Sequence, residues 1–145
     1  RYRLRLVQRA RQAGVRFCSL MHPDAILSRR SSIGQGSVVS EGCILCNGAR
    51  IGDHVLVGLG SIVAEDVVIG DYTFLAAGVI VAGGCSVEEG CYLATGANII
   101  DKLHIGAWSV VGAGATVIRD VPKNTTVVGV PGKIIETRPN QWYLG

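Results

Sequence analysis

The sequence predicts an all-β fold, a parallel solenoid built from three-sided coils. Three observations lead to this fold class. An aliphatic residue occupies every sixth position from Leu27 to Val117, sixteen times in succession. The residue that follows it is usually small, and the residue two positions before the next aliphatic is mostly small or β-branched. A helical period of 3.6 and a simple strand alternation both fail to give this spacing, whereas a short strand with one inward side chain and a tight corner explains it.

Three such edges make a triangular coil of eighteen residues, with room inside for one large side chain per edge. A single coil cannot bury its apolar face, so stability must come from stacked coils that exchange backbone hydrogen bonds between rungs. The run of hexads gives roughly five coils. We assign residues 24–121 to the solenoid, 1–23 to an N-terminal helix with its lead-in segment, and 122–145 to an extended C-terminal tail.

The two ends of the chain have patterns of their own. Residues 1–13 have the pattern of a short basic helix, stopped by Gly14 in the C-cap position. Its arginines alternate with apolar residues, which predicts a helix that packs on one side and is wet on the other; the apolar residues are Leu4, Leu6, Val7 and Ala10. In the tail, Trp142 and Tyr143 are expected to cap the open end of the solenoid.

Composition excludes several classes of function. A net charge of +3 without an aromatic platform argues against nucleic acid as a partner. No apolar run approaches the length of a membrane helix, and no secretory signal follows the basic N-terminus, so we expect a cytoplasmic protein. The five cysteines are expected to be reduced thiols. The spacing Cys43-Ile-Leu-Cys46 lacks the second pair of a zinc site, so no metal is predicted.

Several motifs resemble the hexapeptide-repeat, acetyl-CoA-dependent sugar O- and N-acetyltransferases of the sialic-acid and bacillosamine type. The resemblance covers nearly the whole chain. It implies a left-handed parallel β-helix and a homotrimer, with acetyl-CoA bound in the groove between adjacent solenoids. In those enzymes the resemblance implies a sugar-nucleotide-binding domain before the helix, and the given sequence begins at the helix. The motifs are HPDA (22–25), IGDH (51–54), AEDVVIGDY (64–72), AGVIVAGG (77–84), VVGAGATVIRDVP (110–122) and VGVPGK (128–133).

The resemblance also implies a catalytic pair. In such enzymes a histidine followed by an acid removes the proton of the acceptor, and the matching pair here is Glu65-Asp66. An unperturbed glutamate is a weaker base than histidine by about two pKa units, although burial or repulsion from Asp66 would raise its pKa. Two interpretations stay open, because Glu65 either replaces the histidine or is an exposed corner acid. His54 and His104 are not a multiple of eighteen apart, and we interpret both as exposed corner residues.

The repeat gives an argument that is independent of the resemblance. Asn47, Glu65, Gly83 and Asp101 are eighteen residues apart and should therefore stack in one column, about 4.8 Å per rung. Gly83 above Glu65 would leave a notch, and its N–H is a candidate oxyanion donor, the role that the resemblance also gives it. The alternative is that Gly83 serves only the tight corner.

By the same resemblance, a set of residues matches acetyl-CoA contacts. Close backbone approach is possible where glycine removes the side chain, and a lysine can pair with a CoA phosphate. The candidates are Phe74, Gly83, Thr95, Gly112, Ala113, Gly114 and Lys133.

The predicted function is acetyl transfer from acetyl-CoA to a hydroxyl or amine of a sugar or sugar nucleotide. One alternative is a trimeric scaffold that has lost its base, with or without CoA binding. Another is a zinc enzyme of the γ-carbonic-anhydrase type, which needs three converging histidines. The chain offers only His22, His54 and His104, without a close pair. The identity of the acceptor is not predicted.

Overall fold

A computed structural model describes residues 2–139, with side chains from Arg3 onward. Helix α1 spans Tyr2–Gln12. Seventeen two-residue strands follow at intervals of six residues, and from β2 onward each strand ends on an aliphatic residue of the hexad. These strands are β1 Leu20–Met21, β2 Ile26–Leu27, β3 Ser32–Ile33, β4 Val38–Val39, β5 Ile44–Leu45, β6 Arg50–Ile51, β7 Leu56–Val57, β8 Ile62–Val63, β9 Val68–Ile69, β10 Phe74–Leu75, β11 Ile80–Val81, β12 Ser86–Val87, β13 Tyr92–Leu93, β14 Asn98–Ile99, β15 His104–Ile105, β16 Val110–Val111 and β17 Thr116–Val117.

The strands form three sheets, one on each side of a triangular coil. Sheet A has the order β1-β4-β7-β10-β13-β16-β18-β19, sheet B contains β2-β5-β8-β11-β14-β17, and sheet C contains β3-β6-β9-β12-β15. From β1 to β17 all paired strands are parallel and eighteen residues apart, as Leu56 and Phe74 are. The predicted all-β parallel solenoid is therefore confirmed, with about 6 turns where roughly five were expected.

The last two strands continue the solenoid beyond the hexad run. Strand β18 (Thr125–Val128) pairs in parallel with β16, and β19 (Lys133–Thr137) returns antiparallel to β18 after a turn with a cis Val130-Pro131 bond. At the other end, β1 already pairs with β4. Rungs therefore lie in both segments that flank residues 24–121. Trp142 and Tyr143, which were expected to cap the open end, lie outside the described residues.

The interior of the coil is filled by the hexad aliphatics. Six of the large ones are less than 2% exposed, namely Leu45, Ile69, Leu75, Leu93, Ile99 and Ile105. Small polar residues at the corners are satisfied locally. For example, Ser61 Oγ donates to the carbonyl of Ala76 at 2.9 Å and accepts from the N–H of Val79 at 3.2 Å. Serine is tolerated in the core because its hydroxyl bridges two rungs.

Helix α1 lies against the corner where sheet C leads into sheet A. Gly14 ends the helix with φ +77°, and the N–H of Val15 reaches back to the carbonyl of Ala10 at 3.0 Å. Leu4 and Val7 are buried as the sequence predicts. Leu6 is 62% exposed and does not belong to the packed side, contrary to our expectation.

His54 is only 3% exposed, so our interpretation of it as an exposed corner residue is wrong. Its ring stacks on Tyr72 with centroids 5.4 Å apart and meets the edge of Phe17 at 4.7 Å. Arg11 Nη2 lies 3.0 Å from His54 Nε2 and can only donate, so the imidazole is neutral there. Burial, followed by the positive charge of Arg11, lowers the pKa of His54.

The position of His54 also explains a glycine one rung below. Gly36 has φ +72°, and a Cβ there would overlap the imidazole ring. His104, in contrast, is exposed and lies on sheet C, where its Nε2 is 3.3 Å from a carboxylate oxygen of Glu88. The two histidines therefore have different environments.

We expect the protein to become less stable as the pH is lowered from about 6.5 towards the lower pKa of folded His54. In the unfolded chain the histidine takes up a proton at about pH 6.5. In the folded protein the buried histidine remains neutral until the pH is lower than that. The stabilisation is therefore complete above that pH and is lost as the pH falls. Urea unfolding at pH 7.5 and 5.5 measures the loss, which should shrink in His54→Phe and persist in His104→Phe. Equal pH dependence in His54→Phe and the unaltered protein would contradict this account.

Candidate active site

The predicted catalytic residues lie at the corner between sheets B and C. We call this corner, formed by residues 29–30, 47–48, 65–66, 83–84, 101–102 and 119–120, the B–C corner. Backbone hydrogen bonds join its rungs. The N–H of Asp66 donates to the carbonyl oxygen of Asn47 at 3.0 Å. The carbonyl oxygens of Glu65 and Gly83 accept, each at 2.9 Å, from the N–H groups of Gly84 and Lys102. Glu65 thus lies directly between Asn47 and Gly83 along the column.

Both acids of the pair are exposed in the single chain. Asp66 adopts φ +55°, and its carboxylate occupies the space that a Cβ on Gly48 would fill. Glu65 keeps its carboxylate on the outer surface of the corner. One chain alone therefore does not supply the burial that we considered as a route to a stronger base.

Gly83 is a glycine that the corner itself does not require. The left-handed backbone conformation of this rung falls on Gly84, with φ +68°. A Cβ on Gly83 would meet only the carbonyl oxygen of Glu65 at 3.6 Å and Asp101 Oδ1 at 3.9 Å, which are ordinary contacts. Within residues 2–139, the N–H of Gly83 donates to no protein acceptor. The notch above Glu65 is thus open, and neither backbone strain nor packing explains why residue 83 is a glycine.

Cys46 is a neighbour of Glu65 that our sequence reasoning missed. The pairing of Leu45 with Val63 places Cys46 one rung below Ala64, next to the acid. Burial, then the negative charge of Glu65 and a hydrogen bond with its side chain, raises the pKa of the Cys46 thiol. Cys43 is fully buried in the core, and both thiols are free. The repeat of eighteen residues predicts this proximity, because Cys46 is eighteen residues before Ala64, the neighbour of Glu65. The C-x-x-C motif instead suggested a metal site.

Part of the predicted acetyl-CoA set lies at a different corner. Thr95 and Ala113 stack at the corner between sheets A and B, where the N–H of Gly114 donates to Thr95 at 2.9 Å. Gly114 has φ +64°, and a Cβ on Gly112 would approach Val128 Cγ1 to 2.8 Å. Backbone conformation and packing therefore already require these two glycines.

The other predicted contacts are elsewhere again. Phe74 lies on the outer face of sheet A, with its ring 5.4 Å from that of Tyr92, and both line a cavity of about 380 Å³ beside helix α1. Lys133 begins β19 at the C-terminal end. Sheet B separates the A–B corner with Thr95 from the B–C corner with Glu65. A single chain consequently does not bring the predicted residues together.

Between residues 2 and 139, no three side chains of His, Cys, Asp or Glu are grouped so that they could hold a metal ion. No helix in that part of the chain is both long and apolar enough to cross a membrane.

Sequence comparison finds one family model. Residues 48–83 match the bacterial transferase hexapeptide family, described as six repeats. This segment contains the Glu65-Asp66 pair and ends at Gly83. A search of curated protein sequences finds no match.

Solved structures give a much longer match. A histidine-to-alanine variant of GDP-perosamine N-acetyltransferase from Caulobacter crescentus, in complex with CoA and GDP-perosamine, is 35% identical with a TM-score of 0.91, over 93% of this chain and 64% of that one. The acetyltransferase domain of PglB from Neisseria gonorrhoeae, in complex with acetyl coenzyme A, is 30% identical with a TM-score of 0.89, over 92% and 65%. WeeI from Acinetobacter baumannii is 33% identical with a TM-score of 0.90, over 92% and 66%.

The fold and these matches together define a hexapeptide-repeat β-helix protein. The predicted resemblance to sugar acetyltransferases of this fold is confirmed. The chain spans about two thirds of the length of the structures that it matches, between 64% and 66%.

Alkylation of the thiols should report the contact between Cys46 and Glu65. We expect iodoacetamide at pH 8 to label exposed Cys18 well before Cys46, because the raised pKa leaves Cys46 protonated. Glu65→Gln removes the negative charge and should speed labelling of Cys46 several-fold, without changing the rate at Cys18. Mass spectrometry of peptides measures both rates. Unchanged labelling of Cys46 in Glu65→Gln would mean that the two side chains do not interact.

Proposed function

We propose that the protein is an acetyltransferase that transfers the acetyl group of acetyl-CoA to a hydroxyl or amine of a sugar or sugar nucleotide. The observation that carries the proposal is the open notch at Gly83, directly above Glu65, with an N–H that no described group accepts. The matched structures support it, since they include an N-acetyltransferase in complex with CoA and GDP-perosamine and an acetyltransferase domain in complex with acetyl coenzyme A.

The B–C corner offers a base and an oxyanion donor side by side. Bound acetyl-CoA supplies the acetyl group as a thioester. The acceptor oxygen or nitrogen attacks the carbonyl carbon, its proton passes to Glu65, and the carbon–sulfur bond breaks. The leaving thiolate then takes that proton from Glu65 and departs as the free thiol of CoA. The negative charge that develops on the carbonyl oxygen would be stabilised by the N–H of Gly83. Asp66, which lies beside Glu65, would position the reacting groups and would not itself accept a proton.

We place the complete site between copies in a homotrimer. The outer face of sheet B carries a column of four isoleucines eighteen residues apart, Ile26, Ile44, Ile62 and Ile80. Ile26 and Ile80 are 63% and 40% exposed in the single chain. An exposed apolar column of this kind favours burial against another surface. The column lies between the two corners that carry the predicted residues, so a second copy on this face would border both.

The acetyl-CoA contacts belong to the same proposal. Thr95 and Ala113 would line the groove, and Lys133 would pair with a phosphate. Phe74 would add a contact with acetyl-CoA from the outer face of sheet A. Gly112 and Gly114 leave the backbone open to close approach as well as serving the fold. Because acetyl-CoA is made and used inside the cell and the cysteines are free thiols, we place the reaction in the cytoplasm.

A second candidate is a trimeric scaffold that binds CoA without turning it over. The exposure of Glu65 favours this candidate, because an acid in contact with water is a weak proton acceptor at neutral pH. Thermal stabilisation by acetyl-CoA is common to both candidates, so only release of free thiol in the presence of a sugar acceptor separates them.

The decisive variants both change Glu65, the proposed base. Glu65→Gln should lower kcat at least a hundredfold, because a general base contributes about that much. Glu65→His should retain or raise activity, since histidine is better matched to neutral pH. Thiol release in a coupled colorimetric assay measures both. Full turnover by Glu65→Gln would remove this side chain from the mechanism.

The oligomeric part of the proposal has its own test. Ile62→Arg places a charge in the middle of the isoleucine column and should convert the trimer to monomers, because a buried unpaired charge is costly. Ser32→Arg on the polar outer face of sheet C is the matched control and should stay trimeric. Light scattering after size exclusion gives the mass of each. A monomeric unaltered protein would refute the intersubunit site.

A further inference from the structure

The outer face of sheet C carries a serine, a histidine and a glutamate for which the proposed function gives no role. Ser86 of β12 and His104 of β15 are paired in register, so they lie one above the other in the same column. Glu88 follows β12 at the corner that leads towards sheet A. Ser86 is half-buried, whereas His104 and Glu88 are exposed to solvent.

The imidazole of His104 lies between the other two side chains. Ser86 Oγ is 2.9 Å from His104 Nδ1, and Nε2 of the same ring is 3.3 Å from Glu88 Oε1. A carboxylate beside Nε2 favours the tautomer that carries its proton on that nitrogen. Nδ1 then accepts the hydrogen bond that the hydroxyl of Ser86 donates. The hydroxyl therefore points at a basic nitrogen.

Two backbone contacts hold the histidine and the glutamate in this arrangement. The N–H of Ala107 donates to Glu88 Oε2 at 2.7 Å, so both oxygens of that carboxylate are in contact. The N–H of His104 donates to Asp120 Oδ1 at 2.8 Å. Exposed pairs of charged side chains usually gain little from one fixed geometry. Here the groups on either side of the imidazole are bound to the backbone or to the serine.

These three groups meet the requirements for an activated serine. A hydroxyl is a weak nucleophile by itself, and it needs a base within hydrogen-bond reach. The base needs a third group that sets its tautomer and orientation. His104 meets the first requirement and Glu88 the second. Because Ser86 lies on the outer face of a sheet, a small acyl group is the class of substrate that fits it.

The same column contains a serine that lacks a base. Ser32 lies three rungs below Ser86 on the same face of sheet C, and its partner on the next rung is Arg50. A guanidinium has no acceptor and keeps its charge in proteins, so it cannot take a proton from the hydroxyl. Two serines in equivalent backbone positions therefore differ in the side chain above them.

We infer that Ser86, His104 and Glu88 form a second active site, which hydrolyses esters of small acyl groups such as acetate. Ser86 Oγ attacks the carbonyl carbon, its proton passes to His104 Nδ1, and the carbon–oxygen bond to the alcohol breaks. The departing oxygen takes that proton and leaves as the alcohol. Water then attacks the acyl-serine and gives a proton to His104, which returns it to Ser86 as the carboxylic acid leaves. Glu88 is a positioning residue that takes no proton.

This second site is independent of the proposed acetyl transfer. It lies on sheet C, away from the B–C corner, and its reaction needs neither CoA nor a second copy of the chain. Failure of one activity would leave the other untouched.

Hydrolysis of p-nitrophenyl acetate in the absence of CoA tests the site. Ser86→Ala and His104→Phe should each lower kcat at least about tenfold, because a general base contributes that much or more. Glu88→Gln should lower kcat several-fold and leave KM unchanged, since glutamine keeps the size of the side chain and loses the charge that orients the imidazole. Ser32→Ala is the matched control and should keep the full rate. Release of p-nitrophenol measures all four.

A fluorophosphonate probe identifies the nucleophile in the unaltered protein, whatever the folding of the variants. Mass spectrometry of peptides should find the probe on Ser86 and not on Ser32, and His104→Phe should prevent the attachment. Absence of the probe from Ser86, or equal labelling of Ser86 and Ser32, would overturn the second site. Full hydrolysis by Ser86→Ala would overturn it too, because the ester would then be attacked by another group.

Discussion

The structure depends on one interaction, the backbone hydrogen bond between residues on successive rungs. A strand of two residues has no stability by itself, and each gains it from the strands above and below. The corners are bonded in the same way, as the N–H of Gly84 to the carbonyl of Glu65 shows at 2.9 Å. A slip of one residue would turn the hexad aliphatic from the core to the surface, so the register is fixed. Every position therefore has a defined neighbour about 4.8 Å away.

Because the rungs are in fixed register, a large side chain at a corner needs a glycine at the same corner one rung below. His54 leans over Gly36, Asp66 over Gly48 and Trp108 over Gly90, and a Cβ on any of these three glycines would overlap the side chain above it. Gly83 does not follow this rule, because a Cβ there would make only ordinary contacts. This contrast within one repeat distinguishes a glycine required by packing from one that leaves an opening.

The sequence predicted the sheets and the core, because the hexad sets both the strand positions and the inward residues. It missed the last rung for a physical reason. Val111 pairs with Val127, sixteen residues later instead of eighteen, so the hexad count lost the strand. The burial of His54 was also missed, because it depends on helix α1, which packs from outside the repeat. Gly36, eighteen residues before His54, is the one sign of that burial in the sequence, because a Cβ there would overlap the imidazole ring.

The candidate site was predicted only within one column. The repeat gave the order Asn47, Glu65, Gly83, and the structure has that order. It could not relate this column to Thr95 and Ala113 across sheet B, because residues on opposite edges of a sheet meet only through another surface. Sequence periodicity describes one chain, whereas the proposed site takes its walls from two.

The proposed use of Glu65 in place of histidine would change the charge of the site as well as its basicity. A neutral imidazole has little electrostatic preference between a hydroxyl and an ammonium group, whereas a carboxylate attracts the ammonium. At about 4 Å that attraction is about 1 kcal/mol in water and about 4 kcal/mol at the effective dielectric constant near a protein surface. A second copy that closes over the corner would exclude water and strengthen it. The same closure would bury Glu65, which makes it a better proton acceptor. The two effects oppose each other, because a bound ammonium group favours the ionised carboxylate whereas burial favours the protonated one, so an amine acceptor would have to lose its charge before Glu65 could act as the base.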